Sequence, residues 1–126
     1  TRSWKNMNTW RSLRSGFMGL MSKLDKGERK RFTDYGKQMD LKMKDILNED
    51  HWFLFILGID PQYQQQGFGT KLVKPMLERI DGEHLPVMLD TNKPKNLEFY
   101  NRFGFEVAKE YQVLGNNHWG LVRQKR

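Results

Sequence analysis

The sequence predicts a mixed α/β fold, and three features carry that expectation. Apolar residues recur at spacings of three and four through residues 1–50, the period of helices packed by one face. A nearly unbroken apolar and aromatic run, His51–Ile59, then has the length and composition of a strand buried on both faces. A helical segment joins that run to a second apolar stretch, Leu85–Leu89. Strand, helix and strand thus follow in the order of a parallel unit with a right-handed crossover.

Taken in order, Trp4, Met7, Trp10, Leu13, Phe17, Leu20, Met21 and Leu24 share a helical face, with Arg11, Arg14 and Lys23 among the polar positions. A helix lying on a membrane surface would share this pattern, but packing against a core is the simpler expectation. A second helix is predicted over Glu28–Leu47, its stripe formed by Phe32, Tyr35, Met39, Met43 and Ile46. The basic run Arg29-Lys30-Arg31 near its start reads as a solvated face rather than a nucleic-acid contact. Asp60-Pro61 ends the aromatic strand, and a Gln- and Gly-rich turn leads into a helix over Thr70–Ile80. Leu72, Val73, Met76, Leu77 and Ile80 are expected to face inward there. Pro75 is expected to kink the helix unless it begins later. A short helix over Asn96–Phe103 is stopped by Gly104. Phe105–Leu114 and His118–Arg123 close the chain as a hairpin around Gly115-Asn116-Asn117.

A chain of 126 residues fits one domain, 1–126, with a helical part over 1–50 and an α/β core over 51–126. Four Trp and eight Phe among 37% hydrophobic residues suffice for a single core and argue against disorder. The absence of Cys excludes a disulfide scaffold, a thiolate zinc site and a Cys nucleophile. No apolar run approaches the ~20 residues that span a bilayer, and no signal peptide is visible. A soluble cytoplasmic protein with no membrane partner is therefore the expectation. The net charge of +7 is concentrated in residues 1–50, which hold twelve of the 22 basic residues against seven acidic ones. Such an excess suits nucleic acid, a membrane surface or a phosphorylated cofactor alike.

The segment Gln64-Gln65-Gln66-Gly67-Phe68-Gly69-Thr70 narrows that choice. Glycines on either side of one residue let a backbone turn sharply and approach a ligand with no Cβ in the way. Amides at the start of the following helix can then point at an anion, which the helix dipole favours. A phosphate or pyrophosphate is the physical expectation, with a plain tight turn as the bland one. The dinucleotide fingerprint does not fit, because Leu72 stands where a third Gly is required. The ATP-type loop fails as well, since Gly69-Thr70-Lys71 has its residues in another order.

What remains, Gln-x-x-Gly-x-Gly after a buried strand and an Asp-Pro break, resembles the pyrophosphate loop of the Gcn5-related N-acetyltransferases (GNAT). The resemblance extends to Asn96-Leu97-Glu98-Phe99-Tyr100 with Gly104-Phe105 behind it, the second hallmark of the family, and covers about residues 52–123. His51-Trp52 and Trp119 are similar to the branch that includes antibiotic-resistance and fungal enzymes. The resemblance implies an acyl-CoA N-acyltransferase-like mixed sheet flanked by helices, with acetyl-CoA as co-substrate, no metal, and an amine as acceptor. Gly67 and Gly69, with the backbone of Gln64, Gln65, Gln66, Phe68 and Thr70, would hold the pyrophosphate. Leu57, Gly58 and Ile59 would pair with the pantetheine arm, and Asn96 would contact coenzyme A. Tyr100 would be the general acid that protonates the leaving thiolate. The base is left open: the family often uses a Glu near the strand, but Trp52–Gly58 holds no carboxylate. His51 is the first substitute, His118 a weaker one, and His84 reads as a loop residue.

The family normally begins with further strands, whereas residues 1–50 show no strand pattern. The chain, which starts at Thr1, is therefore expected to be a fragment or a processed form. Its sheet would then have an edge open to pairing with another chain, as in a homodimer. Direct acetyl transfer to a small-molecule or peptidyl amine is the leading expectation, with no nucleic acid as partner. The alternative is a non-catalytic module of the same fold that binds coenzyme A or a partner through its basic helices.

Overall fold

A computed structural model of the chain describes residues 17–126. Of the first predicted helix, only its end falls in this range, as α1 (Phe17–Lys23); Trp4, Met7, Trp10 and Leu13 lie outside the described residues. The second helix, α2 (Lys26–Lys44), starts earlier and ends earlier than its apolar stripe suggested. Its start is set by Asp25, whose Oδ1 accepts from the Glu28 N–H at 2.8 Å while Glu28 Oε2 accepts from the Asp25 N–H at 2.9 Å. This reciprocal cap stabilises a helix start by about 1 kcal/mol and outweighs the periodicity that pointed to Glu28. No residue of α2 is fully buried. Tyr35, Met39 and Met43 are half-buried, whereas Phe32 is 45% exposed.

Among the described residues, four strands form one sheet in the order β1-β2-β4-β3: β1 (Trp52–Leu54), β2 (Val87–Thr91), β3 (Glu106–Val113) and β4 (Asn116–Arg123). β1 and β2 are parallel over three rungs, Trp52↔Val87 to Leu54↔Leu89, and the other pairs are antiparallel. The predicted strand–helix–strand unit is therefore present, with α3 (Phe68–Asp81) as its connection. The expectation of a strand from His51 to Ile59, buried on both faces, is overturned. Only three residues pair, all of them half-buried, and Phe55 and Ile56 are 69% and 76% exposed. The physical reason is that β1 has a neighbour on one side only among the described residues, and that neighbour stops accompanying it after Leu54.

α3 runs unbroken through Pro75, whose ring lies on the exposed side. Proline lacks the N–H that would bond the carbonyl four residues earlier, so the helix forgoes one bond there. Val73, Leu77 and Ile80 form its buried stripe, while Leu72, expected inside, is 55% exposed because it lies one position off that stripe. α4 (Lys95–Asn101) ends at a turn closed by Gly104 at φ 83°. The hairpin turn is the pair Leu114-Gly115 (φ 48° and 80°), and β4 begins at Asn116, two residues before its predicted start. Two residues with positive φ match the twist of the strands, which a longer turn at Gly115–Asn117 would not require.

The sheet has two differently furnished faces. Val87, Leu89 and Leu121 pack with Val73, Leu77, Ile80, Tyr100 and Phe105 to make the main core under α3 and α4. The opposite face carries Asp90, Tyr111, His118 and Gly120, and it is α2 that lies over it. The Tyr35 ring is 5.7 Å from the His118 ring, and a Cβ at Gly120 would collide with Ile46 Cδ1. Arg123 ties the far end of α3 to the sheet, donating to Asp81 at 2.5 and 2.8 Å and to the Phe103 carbonyl at 2.9 Å. No helix among the described residues is long and apolar enough to cross a membrane.

Candidate active site

The chain leaves β1 at Leu54 and passes through Leu57, Gly58 and Ile59 to a single 3₁₀ turn, Pro61–Tyr63. Asp60 caps that turn by accepting from the Gln62 N–H at 3.1 Å. The loop that follows is braced by its own glutamines: Gln64 Nε2 donates to the Ile59 carbonyl at 3.0 Å and Gln66 Nε2 to the Gln62 carbonyl at 3.0 Å. Gln65 (φ 62°) and Gly67 (φ 79°, ψ 2°) both take left-handed backbone conformations, the kind of backbone from which anion-binding concavities of N–H groups are built. Gly67 is the N-cap of α3 and offers no side chain to its first turn. A Cβ there would meet nothing within 4 Å, so the space in front of it is open.

Consequently, the N–H groups of Gln65 to Thr70 donate to no acceptor among the described residues; the first helical bond to the loop runs from the Lys71 N–H to the Gly67 carbonyl at 3.1 Å. Free amides at the N-terminus of a fourteen-residue helix form a concentrated site for an anion. Gly69 serves a different purpose. A Cβ at this position would stand 3.2 Å from Phe99 Cζ, so its absence lets α4 settle on the first turn of α3.

Through that contact α4 is held beside the loop. Asn96 opens α4, and its Nδ2 donates to Thr91 Oγ1 at 2.9 Å, an oxygen that also accepts from the Lys93 N–H at 3.3 Å. Thr91, 6% exposed at the end of β2, is thus a positioning residue that the sequence reading missed. Tyr100 lies one turn beyond Asn96, 8% exposed, with Phe99 and Phe105 edge-on at 5.1 and 5.7 Å. Burial pushes its hydroxyl above the ordinary tyrosine value, so it stays protonated at neutral pH and available as a donor. Leu57 packs against the main core, while Gly58 is exposed. The loop, Asn96 and Tyr100 therefore share the α3–α4 side of the sheet, at the carboxyl ends of the parallel strands. Open α/β sheets bind ligands there.

The three histidines separate clearly. His51 Nδ1 is 2.8 Å from the Glu49 carbonyl and His84 Nδ1 is 2.7 Å from the Arg126 carbonyl, both at the surface. His118 is buried, with Nδ1 2.9 Å from Asp90 Oδ2. His51 precedes β1, at the opposite end of that strand from the chain that leads to the loop. A groove of about 310 Å³ between β1 and α3, lined by Trp52, Leu54, Met76 and Ile80 among others, contains no residue of the loop.

The acetyltransferase (GNAT) domain family matches residues 35–107, from the middle of α2 to the start of β3. An uncharacterized N-acetyltransferase of Schizosaccharomyces pombe is 37% identical over 117 residues, covering 89% of this chain and 47% of its own length. The ribosomal-protein-S18-alanine N-acetyltransferase of Escherichia coli shares the fold at a TM-score of 0.51 and 20% identity, over 57% of this chain and 52% of the other. The chain belongs to the GNAT acetyltransferase family. It spans about half the length of the relatives it matches.

Proposed function

We propose that the protein transfers the acetyl group of acetyl-CoA to an amine by direct attack. The observation that carries this reading is the row of free amides from Gln65 to Thr70, turned by Gly67 in front of the α3 N-terminus. These amides fit the pyrophosphate of coenzyme A without any basic side chain, so the net charge is not the source of recognition. Leu57, Gly58 and Ile59 lie where β1 has left β2, and they offer backbone to an extended pantetheine arm as an added strand would. Asn96 stands at the end of β2 on the same side. The bound thioester supplies an acyl group activated toward amines and a leaving group that needs one proton. Tyr100 is the donor of that proton, its hydroxyl held protonated at neutral pH by burial. Holding amine and thioester together supplies much of the remaining acceleration.

Calorimetry with acetyl-CoA, followed by free-thiol release with a panel of primary amines, tests the reading. Saturable binding with thiol release from at least one amine is expected. Binding without release from any amine would leave a coenzyme A-binding module, and absence of binding would overturn the loop assignment.

A further inference from the structure

Of the enclosed side-chain polar atoms among the described residues, one lacks a hydrogen-bond partner: His118 Nε2, on a residue 1% exposed. Leaving an enclosed polar atom unbonded costs about 1–3 kcal/mol, so such an atom calls for an explanation, a catalytic role among them. The other ring nitrogen explains what Nε2 is equipped to do. Nδ1 lies 2.9 Å from Asp90 Oδ2, and a carboxylate only accepts, so in the neutral ring the proton sits on Nδ1 and the lone pair on Nε2. Asp90 Oδ1 accepts in turn from the Tyr111 hydroxyl at 2.6 Å. Burial and that bond to Asp90 hold the Tyr111 hydroxyl protonated, so Asp90 is fixed from both sides. Tyr111 also stacks on His118, with ring centroids 5.9 Å apart and planes inclined by 14°.

The location matches this equipment. Asp90 is one residue past Leu89, the last residue paired with β1, so it stands where the parallel strands part. Thr91 beside it faces the opposite way and holds Asn96. The parting thus has two sides: free amides, Asn96 and Tyr100 on the α3–α4 side, and Asp90 with His118 on the α2 side. A co-substrate seated on the first side leaves the second for the nucleophile.

We propose that His118 Nε2 accepts the proton of the acceptor ammonium, with Asp90 as its positioning residue and the amine approaching from the α2 side. This rests on the acetyl-transfer reading above. The ammonium gives one proton to Nε2, forming an imidazolium beside Asp90. The freed lone pair attacks the acyl carbon, so that a C–N bond forms and the C–S bond breaks. The thiolate takes the Tyr100 hydroxyl proton, and the second proton lost by nitrogen restores Tyr100. His118 returns its proton to solvent, leaving one amide, one thiol and one released proton. The Tyr35 and Tyr111 rings flank the imidazole at 5.7 and 5.9 Å and suit a cation by their faces. Tyr35 reaches the imidazole from α2, a helix with no fully buried residue, so the amine's approach from this side displaces no buried side chain of α2. Among the described residues, the groups facing His118 are Asp90 from β2, Tyr111 from β3 and Tyr35 from α2, with the Lys109–Asp45 pair (3.4 Å) further out, opposite Gly120.

The test combines rate and spectroscopy on the full chain. With spermidine, Nα-acetyl-lysine amide and alanine amide as acceptors, kcat/KM is expected to rise with pH along a limb that depends on His118. His118→Gln should lower it about 100-fold or more, abolish that limb and leave acetyl-CoA affinity within about twofold. Asp90→Asn should lower kcat and displace the limb. A His118→Gln enzyme with the wild-type pH profile, or one that loses rate and acetyl-CoA affinity together, overturns the proposal. Long-range ¹H–¹⁵N spectra of the wild type read the tautomer independently of any variant. A proton on Nδ1, and a Nε2 resonance that moves with a reactive amine, support the proposal; a proton on Nε2, or a resonance unmoved by all three amines, overturns it. Acetyl-CoA binding with no thiol release would instead defeat the transfer reading, and the Nε2 resonance would still report whether amines reach His118.

Discussion

Arg123 is 3% exposed, and all its visible partners are acceptors: both oxygens of Asp81 and the carbonyl of Phe103. Asp81→Asn keeps the shape of the contact and removes the charge, leaving an enclosed guanidinium without its counter-ion. Breaking an enclosed pair in this way costs about 3–5 kcal/mol. Because the Asp81 side chain is 29% exposed, water can take up part of the loss, which places the expectation near 3 kcal/mol. Against a stability of about 5–15 kcal/mol for a domain, that is a fifth or more of the total. Urea unfolding followed by tryptophan fluorescence should show the midpoint fall by roughly 1.5 M, for a slope of about 2 kcal/mol per molar. Arg123→Met should cost less, about 1–2 kcal/mol, since Asp81 regains solvent and one carbonyl is stranded. The double variant should be better than the sum of the two. Asp81's carboxyl is held below the ordinary carboxylate range, first by its hydrogen bonds from Arg123 and then by the nearby positive charge. The stabilisation is therefore complete above about pH 4 and lost as pH falls through the lowered value, and Asp81→Asn should remove that acid limb. A midpoint shift under about 0.3 M, or strict additivity in the double variant, would refute this reasoning.

Three further outcomes are expected. Gly67→Val places a branched side chain at φ 79° in the space before the amides, so acetyl-CoA affinity by calorimetry should fall at least tenfold; unchanged affinity would remove the loop from the site. Tyr100→Phe should spare acetyl-CoA binding and lower kcat at neutral pH about a hundredfold, and equal turnover would end its role as acid. Leu114→Asn should stabilise the hairpin by about 0.5–1 kcal/mol, because Leu114 sits at φ 48° with half its surface exposed and Asn tolerates that conformation better; thermal unfolding reads the sign.

The sequence was most legible where the signal was local. The Gly67-Phe68-Gly69 spacing placed the loop at the start of α3, and the order of apolar runs gave the parallel unit. It was least legible where neighbours decide. Phe55 and Ile56 are as apolar as Trp52 and Phe53, and only the end of the pairing with β2 distinguishes them. Leu72 and Val73 are adjacent and both apolar, yet one faces out because a helical stripe narrower than the apolar run selects 73, 77 and 80. Asp90 lies beyond the apolar run Leu85–Leu89 that marks the strand in the sequence, although β2 extends to Thr91. Its partner His118 is 28 residues away and meets it only through the register Asp90↔Gly120. The period of two along β4, which puts His118, Gly120 and Val122 on one face, was the signal that could have placed this histidine inside.

The sheet order β1-β2-β4-β3 also ranks its seams by durability. β3 and β4 close across two residues and share the longest ladder, so that hairpin is the cheapest part to assemble and the last to come apart. Among the described residues β1 lies at the margin of the sheet, attached by three rungs, with α3 between it and its partner in sequence. Local opening should therefore begin at Trp52–Leu54. It would widen the gap beside Asp90 and Thr91 while Arg123 still clamps the base of α3, so the molecule can breathe at its working end without loosening its frame.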